Sequence, residues 1–353
     1  MNQSIQAILE KTQNPLTHKS IVEDRLLVQV IEQENKHTIE LKAAGDRKWQ
    51  LAIEAQLRTS AVKEELAPDS IKIKWIQSAS EVTQQAATAR PARGVPGVQT
   101  IIAIASGKGG VGKSTVSANL AVTLANMKYK VGIIDADIYG PSIGKMFGFS
   151  GRQDVVVKDD KITPLEKFGI KIMSFAFLID EKQPVVWRGP MLGKAVEQFL
   201  YDIQWGSLDF LIVDLPPGTG DTQLSLAQLV ELDGVVIVTT PQSIALLDAG
   251  RAVSMFEQVN IPVLGVVENM SEYICPHCGK GSHIFSKGGG AQLAAGSDSV
   301  LLGQIPLVEE FMQSAEKGEV ALFKPKSKKL EPIVAAFEHI VQNLLSLLEQ
   351  GKK

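Results

Sequence analysis

Eight consecutive residues, Gly107-Lys108-Gly109-Gly110-Val111-Gly112-Lys113-Ser114, fit the pattern G-x-x-x-x-G-K-[ST]. Glycines at this spacing let backbone N–H groups curl around phosphate oxygens, and a helix beginning near Lys113 would point its positive end at the same anion. Lys113 would reach the β- and γ-phosphates. Ser114 would offer its hydroxyl to Mg²⁺, with Thr115 beside it in the nucleotide-binding set. A glycine-rich turn without a ligand has no need of Lys-Ser after its last glycine. Binding of a nucleoside triphosphate through its phosphates is the chemistry expected here.

Two carboxylate segments suit the same site. In DADIYGPS, Asp135 and Asp137 end the apolar run VGIID, and a carboxylate at a strand mouth can orient a water for in-line attack on the γ-phosphate. In FLIVDLPPGTGD, Asp214 matches the Walker B position that holds the Mg²⁺ shell, and Pro216, Pro217 and Gly218 follow as a turn able to respond to the γ-phosphate. A single Asp after a strand is commonly only a helix cap. Several of them in a chain that carries a phosphate loop point to the nucleotide.

A second chemistry lies in Cys275-Pro276-His277-Cys278, the only two cysteines of the chain. The Cys-x-x-Cys spacing brings two sulfurs onto one turn, which suits a soft metal. A redox dithiol would be expected at a helix start in a small βαβ unit instead. Zinc would need two further ligands, for which His283 is conceivable. The remaining arrangement is symmetric: two copies each give Cys275 and Cys278 to one four-thiolate site, the ligand set of a [4Fe–4S] cluster.

The elements that must position these groups are readable from periodicity. Continuous apolar runs (IIAIAS, KVGIIDAD, FLIVDLPPG, GVVIVTTP, IPVLGVVENM) are what strands buried on both faces require. Helical patterns such as Ser114–Met127 and Met191–Tyr201 alternate with them. The expected fold is therefore α/β, a mostly parallel sheet flanked by helices. Before it, SIQAILEKT, Val28 and Val30, Ile39 and Leu41, Trp49, Ile53 and Leu57, then Ile71, Ile73 and Trp75 spell helix, strand, strand, helix, strand. The expected organisation is a small α+β domain over 1–86, a linker over 87–98 and the nucleotide-binding domain over 99–350. The first domain has neither cysteine nor Gly-rich loop and reads as a docking or regulatory module. The last segment, from Glu331 to Glu349, aligns Ile333, Phe337, Ile340, Val341, Leu344 and Leu348 on one helical face. Its other face lacks the Lys and Arg that an anionic membrane would select, so a helix closing on the sheet is expected.

The 353 residues carry 36 basic and 39 acidic side chains, a formal net charge of −3, so no global positive field would hold nucleic acid or lipid. Two cysteines exclude a disulfide scaffold and a four-cysteine site within one chain. The opening MNQSIQAILEKTQ lacks a basic segment followed by a signal-type apolar stretch, and a cytoplasmic chain is expected.

KGGVGKS resembles the deviant Walker A family of ATPases, the SIMIBI class that includes MinD, ParA and the nitrogenase iron protein. The resemblance implies that Lys108 reaches across a homodimer interface to the partner's nucleotide, and that Asp137 is the water-orienting carboxylate while Asp135 supports the loop or the Mg²⁺ shell. It also implies that Asn269, in VVENMS, faces the adenine base; by its residue type alone it could equally be a turn asparagine. Together with DADIYGPS, WRGPM over Trp187–Met191, DLPPGTGD, ENMS followed by CPHCG, and SKGGGAQLA, the chain is similar to the Mrp/ApbC group of iron–sulfur cluster carriers from about residue 98 to 345. This likeness implies ATP hydrolysis coupled to loading or release of a bridging [4Fe–4S] cluster. Iron–sulfur scaffolds and apo-protein acceptors would be the partners, with no nucleic acid and no membrane among them. Two other functions compete: a positioning ATPase of the MinD or ParA kind acting on membrane or DNA, and a zinc-stabilised ATPase that never transfers a cluster.

Overall fold

Ile5, Ile8 and Leu9 recur at helical spacing and are buried, which makes the inner face of α1 (Gln3–Lys11). The computed structural model describes residues 3–351 apart from 16, 18, 34–35, 43–46, 65, 67–69, 77–93, 139, 159–160, 179–199 and 326. It divides into two compact units, Met1–Arg90 and Pro91–Lys353. In the first, β1 (Leu27–Gln33) pairs antiparallel with β2 (Lys36–Lys42), which pairs parallel with β3 (Ile71–Ile76). Helix α2 (Arg47–Lys63) connects β2 to β3 and buries Trp49, Ile53, Leu57 and Ala61, one residue per turn. Trp49 and Trp75 meet with ring centroids 5.5 Å apart. The element order is the one the periodicity predicts. Val28 nevertheless stays exposed, because the register shifts between Leu27 and Gln29.

The second unit is built on β4 (Val98–Ala105), which is buried from Thr100 onward. Helix α3 (Lys113–Asn126) and β5 (Val131–Asp135) follow, then the one-turn α4 (Ile143–Met146). Short strands β6 (Val157–Lys158), β7 (Lys161–Ile162) and β8 (Leu165–Lys167) lead to β9 (Ile170–Ser174). Next come β10 (Leu208–Asp214), α5 (Asp221–Leu229), β11 (Gly234–Thr239) and α6 (Ser243–Gln258). The chain finishes with β12 (Val263–Ile274), β13 (Gly281–Ser282), α7 (Gly289–Gly296), β14 (Leu301–Leu307), α8 (Glu309–Glu316) and α9 (Glu331–Gly351).

Among the described residues nine strands form one sheet in the order β13-β12-β11-β4-β10-β5-β9-β8, with β14 beside β12. All pairs are parallel except β12–β13 and β8–β9. Full burial of Ile101 to Ile104, Ile133, Ile134, Leu211, Ile212 and Val235 to Val238 explains the continuous apolar runs: both sheet faces are covered. Each such large side chain contributes about 1.5–3 kcal/mol relative to exposure. Helix α3 is buried on most sides, with Ala118, Leu120, Ala121, Val122 and Leu124 all inside, so the helix that follows the glycine loop is held rigidly. The apolar stripe of α9 packs on β14 and α3, burying Ile333, Phe337, Ile340, Val341 and Leu344. Among the described residues no helix is long and apolar enough to cross a membrane. The helical pattern Met191–Tyr201 lies outside the described residues except for Leu200 and Tyr201, which are helical, as does most of the linker stretch 87–98.

Candidate nucleotide and metal site

The carboxyl ends of β4, β5 and β10 open on one side of the sheet, where open α/β sheets bind ligands, and Asn269 joins them from within β12, which continues to Ile274. Between β4 and α3 the chain turns through Gly110 and Gly112, whose φ angles of 81° and 84° are left-handed. Val111 is buried and anchors the loop from below. Gly107 is demanded by a close approach, since a Cβ there would collide with the Asp248 carbonyl of α6. The loop walls a cleft of about 210 Å³ that includes Lys108, Gly109, Gly110, Lys113, Ser114 and Thr115, with Pro217 on the opposite side. Gly112 is the residue that caps α3, so the helix's free N–H groups face this cleft.

Asp214 is the polar hub beneath the loop and is fully buried. It accepts hydrogen bonds from Ser114 Oγ at 2.7 Å and Ser117 Oγ at 2.6 Å. Lys113 Nζ lies 2.8 Å from the same carboxylate and is only 6% exposed. A serine hydroxyl and a carboxylate in contact are the hard oxygen donors that Mg²⁺ takes, so these residues fit that ion. Ser117 was not legible as a site residue. Its signal is its position one helical turn beyond Lys113 and Ser114, on the same face of α3. The Pro-Pro-Gly turn is tied to the loop by Gly218 N–H donating to Ser106 O at 3.0 Å.

Asp135 is also fully buried. Its carboxylate accepts from the backbone N–H of Ser142 at 2.9 Å, Ile143 at 3.0 Å and Asp137 at 3.2 Å, and from Ser174 Oγ at 3.2 Å. It thereby pins the segment that carries Asp137. Asp137 itself is half-buried and accepts from Gly140 N–H at 3.1 Å, leaving it nearer solvent. Burial, with the Asp214 carboxylate nearby, raises the Asp135 pKa from 3.8 to about 7, against the opposing N–H donors and Lys113. The folded protein thus holds a proton that the unfolded chain releases at lower pH. This contribution to stability is complete below the unfolded value and is lost as pH rises toward 7. The thermal midpoint of the wild type should therefore fall more steeply from pH 5 to 8 than that of Asp135→Asn. Parallel pH profiles for the two proteins would refute the assignment.

Asn269 reaches the loop from β12: its Nδ2 donates to Val111 O at 2.9 Å and the side chain is buried. In this structure its amide supports the loop backbone. A Cβ on Gly112 would collide with that amide while also forcing a left-handed φ. Gly112→Ala should weaken nucleotide binding by about tenfold or more, because the αL conformation alone costs roughly 1–2 kcal/mol. Calorimetric titration with ATP checks this, and an unchanged affinity would exclude it. The neighbouring Glu268, fully buried and also unforeseen, accepts from Gly290 N–H at the start of α7 and from Gln304 Nε2.

Farther along the same strand, β12 and β13 form a hairpin, pairing Tyr273 with Ser282 and Ile274 with Gly281. Its tip is the Cys275–Cys278 turn, closed by Gly279 N–H to Cys275 O at 2.9 Å and Cys275 N–H to Lys280 O at 3.1 Å. Gly279 is left-handed, with φ 71°. Cys275 is half-buried, Cys278 is exposed, and both are free thiols. The Cys275 thiol is pulled below its usual pKa by the backbone N–H of Cys278, then that of His277 and the Cys278 side chain. His283 Nδ1 is engaged by Ser271 O at 3.0 Å. Among the described residues no three His, Cys, Asp or Glu side chains gather to hold a metal. Cys275 lies six positions beyond Asn269, so the turn lies at most about 20 Å from the loop's support. Between them Met270 takes a left-handed φ of 57°, a strained bend for a side chain of its size.

The structure thus brings Gly107 to Thr115, Asp135, Asp137, Asp214 and Asn269 to one end of the sheet, and Cys275 and Cys278 to a separate turn on a shared strand. Trp187–Met191 lies outside the described residues.

A family model described as ParA, NUBPL iron-transfer P-loop NTPase matches residues 97–345. An iron–sulfur cluster carrier protein from Aquifex aeolicus is 51% identical over 257 residues, covering 72% of this chain and 70% of its own length. Among solved structures, a nucleotide-binding protein from Archaeoglobus fulgidus in complex with ADP superposes with TM-score 0.57 at 38% identity, over 66% of this chain and 91% of that one. The cell division ATPase MinD of Pyrococcus furiosus superposes with TM-score 0.52 at 21% identity, over 70% and 99%, a likeness of fold.

Proposed function

The chain belongs to the Mrp/ApbC group of iron-transfer P-loop NTPases, and from that premise we propose that it hydrolyses ATP to load or release a [4Fe–4S] cluster shared by two copies of itself. The observation that carries this reading is the single strand β12, which supports the phosphate loop through Asn269 and ends at the Cys275–Cys278 turn. A nucleotide-dependent shift of the loop has a short path to the thiols, through the strained Met270.

In this reading the loop from Gly107 to Thr115 wraps the triphosphate and Lys113 leaves Asp214 to neutralise the β- and γ-phosphates. Mg²⁺ would be held by Ser114 with Asp214 and would screen phosphate charge. Asp137 orients the attacking water, and Asp135 keeps its segment in place. Lys108, at the rim of the cleft, is the residue suited to reach a partner's nucleotide. Asn269 keeps its Oδ1 and second N–H for the adenine edge while Nδ2 holds Val111 O. The cluster is cargo: two cysteines per chain supply half of four thiolates, and a twofold axis completes the set. The cargo passes to apo-proteins in the cytoplasm, where thiols stay reduced. Residues 1–86 act as a docking or regulatory module, joined through 87–98 to the ATPase at 99–350.

The test is anaerobic reconstitution followed by iron, sulfide and mass measurement. Four irons per two chains with a doubled mass, and transfer to an apo acceptor that changes rate with ATP, are expected. Zinc in place of iron, or a loaded monomer, would overturn the reading.

A further inference from the structure

A cleft of about 700 Å³ opens directly beside Cys275. One wall is the cysteine turn, with Cys275 and Pro276. The other comes from α8 and the approach to α9, with Gln313, Lys317, Lys328 and Lys329. Its size is that of a site that encloses a ligand or a short peptide loop. The chain as a whole is acidic, with net charge −3, yet three lysines converge here, all exposed and none in an ion pair among the described residues.

Two acidic residues share the cleft, but both are already occupied. Glu310 accepts from Ser327 Oγ at 2.8 Å and Glu309 from Gln313 Nε2 at 2.9 Å. Both also lie in the first turn of α8, where the helix's positive end offsets their charge. With three lysines against these two hydrogen-bonded carboxylates, the lining keeps a formal net charge of +1 in a chain whose net charge is −3, and among the described residues the lysines are its unpaired charges.

We propose that this cleft docks an acidic, cysteine-bearing segment of the protein that exchanges a cluster with this chain; this rests on the carrier function proposed above. Cluster exchange requires an incoming thiolate to approach an iron from the open side of Cys275, and the cleft is an opening on that residue. In the exchange one iron–sulfur bond to Cys275 breaks as one to the incoming cysteine forms. The proton of the incoming thiol passes to the released Cys275, and no electron changes hands. Lysines beside the thiol favour a cysteine flanked by Asp and Glu and disfavour one flanked by Lys or Arg.

The docking can be tested without a cluster. Full-length Cys278→Ser protein, reduced and iron-free, is mixed with short peptides whose one cysteine carries thionitrobenzoate as a mixed disulfide. Attack by Cys275 on the peptide sulfur forms the Cys275–peptide disulfide and expels the coloured thionitrobenzoate anion, the better leaving group. An Asp-flanked peptide should react about tenfold faster than a Lys-flanked one at low salt, with the gap closing at roughly 0.5 M salt. Combined Lys317→Glu, Lys328→Glu and Lys329→Glu should abolish the preference. Gln313→Trp should fill the cleft and slow the acidic peptide while leaving reaction with the small neutral dipyridyl disulfide unchanged. Equal rates for the two peptides, or a preference that survives the triple reversal, would overturn the proposal. Trapping that weakens as protein concentration rises would also overturn it, since a second copy would then cover the cleft. Iron content of the reconstituted wild type reports on the carrier reading separately, so the two ideas fail in different measurements.

Discussion

Lys113→Ala should lose ATP hydrolysis by about 10²- to 10³-fold, the usual cost of removing one group that stabilises transferring charge. The structure adds a second consequence. Lys113 Nζ rests 2.8 Å from the fully buried Asp214, so alanine leaves that carboxylate without its cation. Two serine hydroxyls remain on Asp214, but hydroxyl dipoles do not balance a buried charge, and a buried pair that loses one partner costs about 3–5 kcal/mol. The variant should therefore melt at a lower temperature than the wild type as well as being inactive. Lys113→Ala combined with Asp214→Asn should regain much of the lost stability and none of the activity. Turnover at the wild-type rate in Lys113→Ala would refute the phosphate assignment. Failure of the double variant to regain stability would refute the ion pair as its cause.

Cys275→Ala should abolish cluster loading, with bound iron falling from about four per two chains to near none. The reason is arithmetic in the chain itself. With two cysteines per copy, one substitution leaves a dimer two thiolates, and among the described residues no group of three metal-binding side chains offers a substitute. Because the turn is separated from the phosphate cleft by the length of the Asn269–Ile274 segment, cluster-free ATP hydrolysis should stay within about twofold of wild type. That dissociation is the informative part. Iron unchanged in Cys275→Ala would end the cluster assignment, whereas hydrolysis lost alongside iron would show that the turn supports the fold of the nucleotide site. Cys278→Ala should behave in the same way despite its greater exposure, since both sulfurs count equally toward four ligands.

Much of this was legible because it is local. The G-x-x-x-x-G-K-[ST] spacing encodes a strand, a turn with left-handed glycines and a helix start, and the structure has Gly110 and Gly112 left-handed and α3 beginning at Lys113. The apolar runs announced strands buried on both faces, as β4, β5 and β11 are. The last helix was readable from its stripe. Val28 and Val30 lie on β1 as their alternation predicts, but the bulge beside Val28 cannot be seen in alternation alone.

Other features had no local signal. Ser117 and Ser174 look like ordinary serines, and only packing sets them against Asp214 and Asp135. Glu268 would be expected at a surface, yet it is buried where the start of α7 and Gln304 supply its donors. Asn269 reads from the sequence as a strand-end asparagine, whereas β12 runs on past it to Ile274, and its support of Val111, far away in the chain, had no local signal.

By itself the sequence determined the chemistry available to this protein: a triphosphate loop, carboxylates at strand ends, and two thiols that cannot complete a four-ligand site alone. These follow from residue type and short-range spacing, which govern turns, helix starts and ligand counts. Tertiary structure decided how the parts are joined. It put Asn269 and the cysteine turn on one strand, buried Asp135 beside Asp214, and gathered lysines from two separate segments beside Cys275. Those relations depend on which distant surfaces pack together in a twisted sheet, and local periodicity carries no information about that choice.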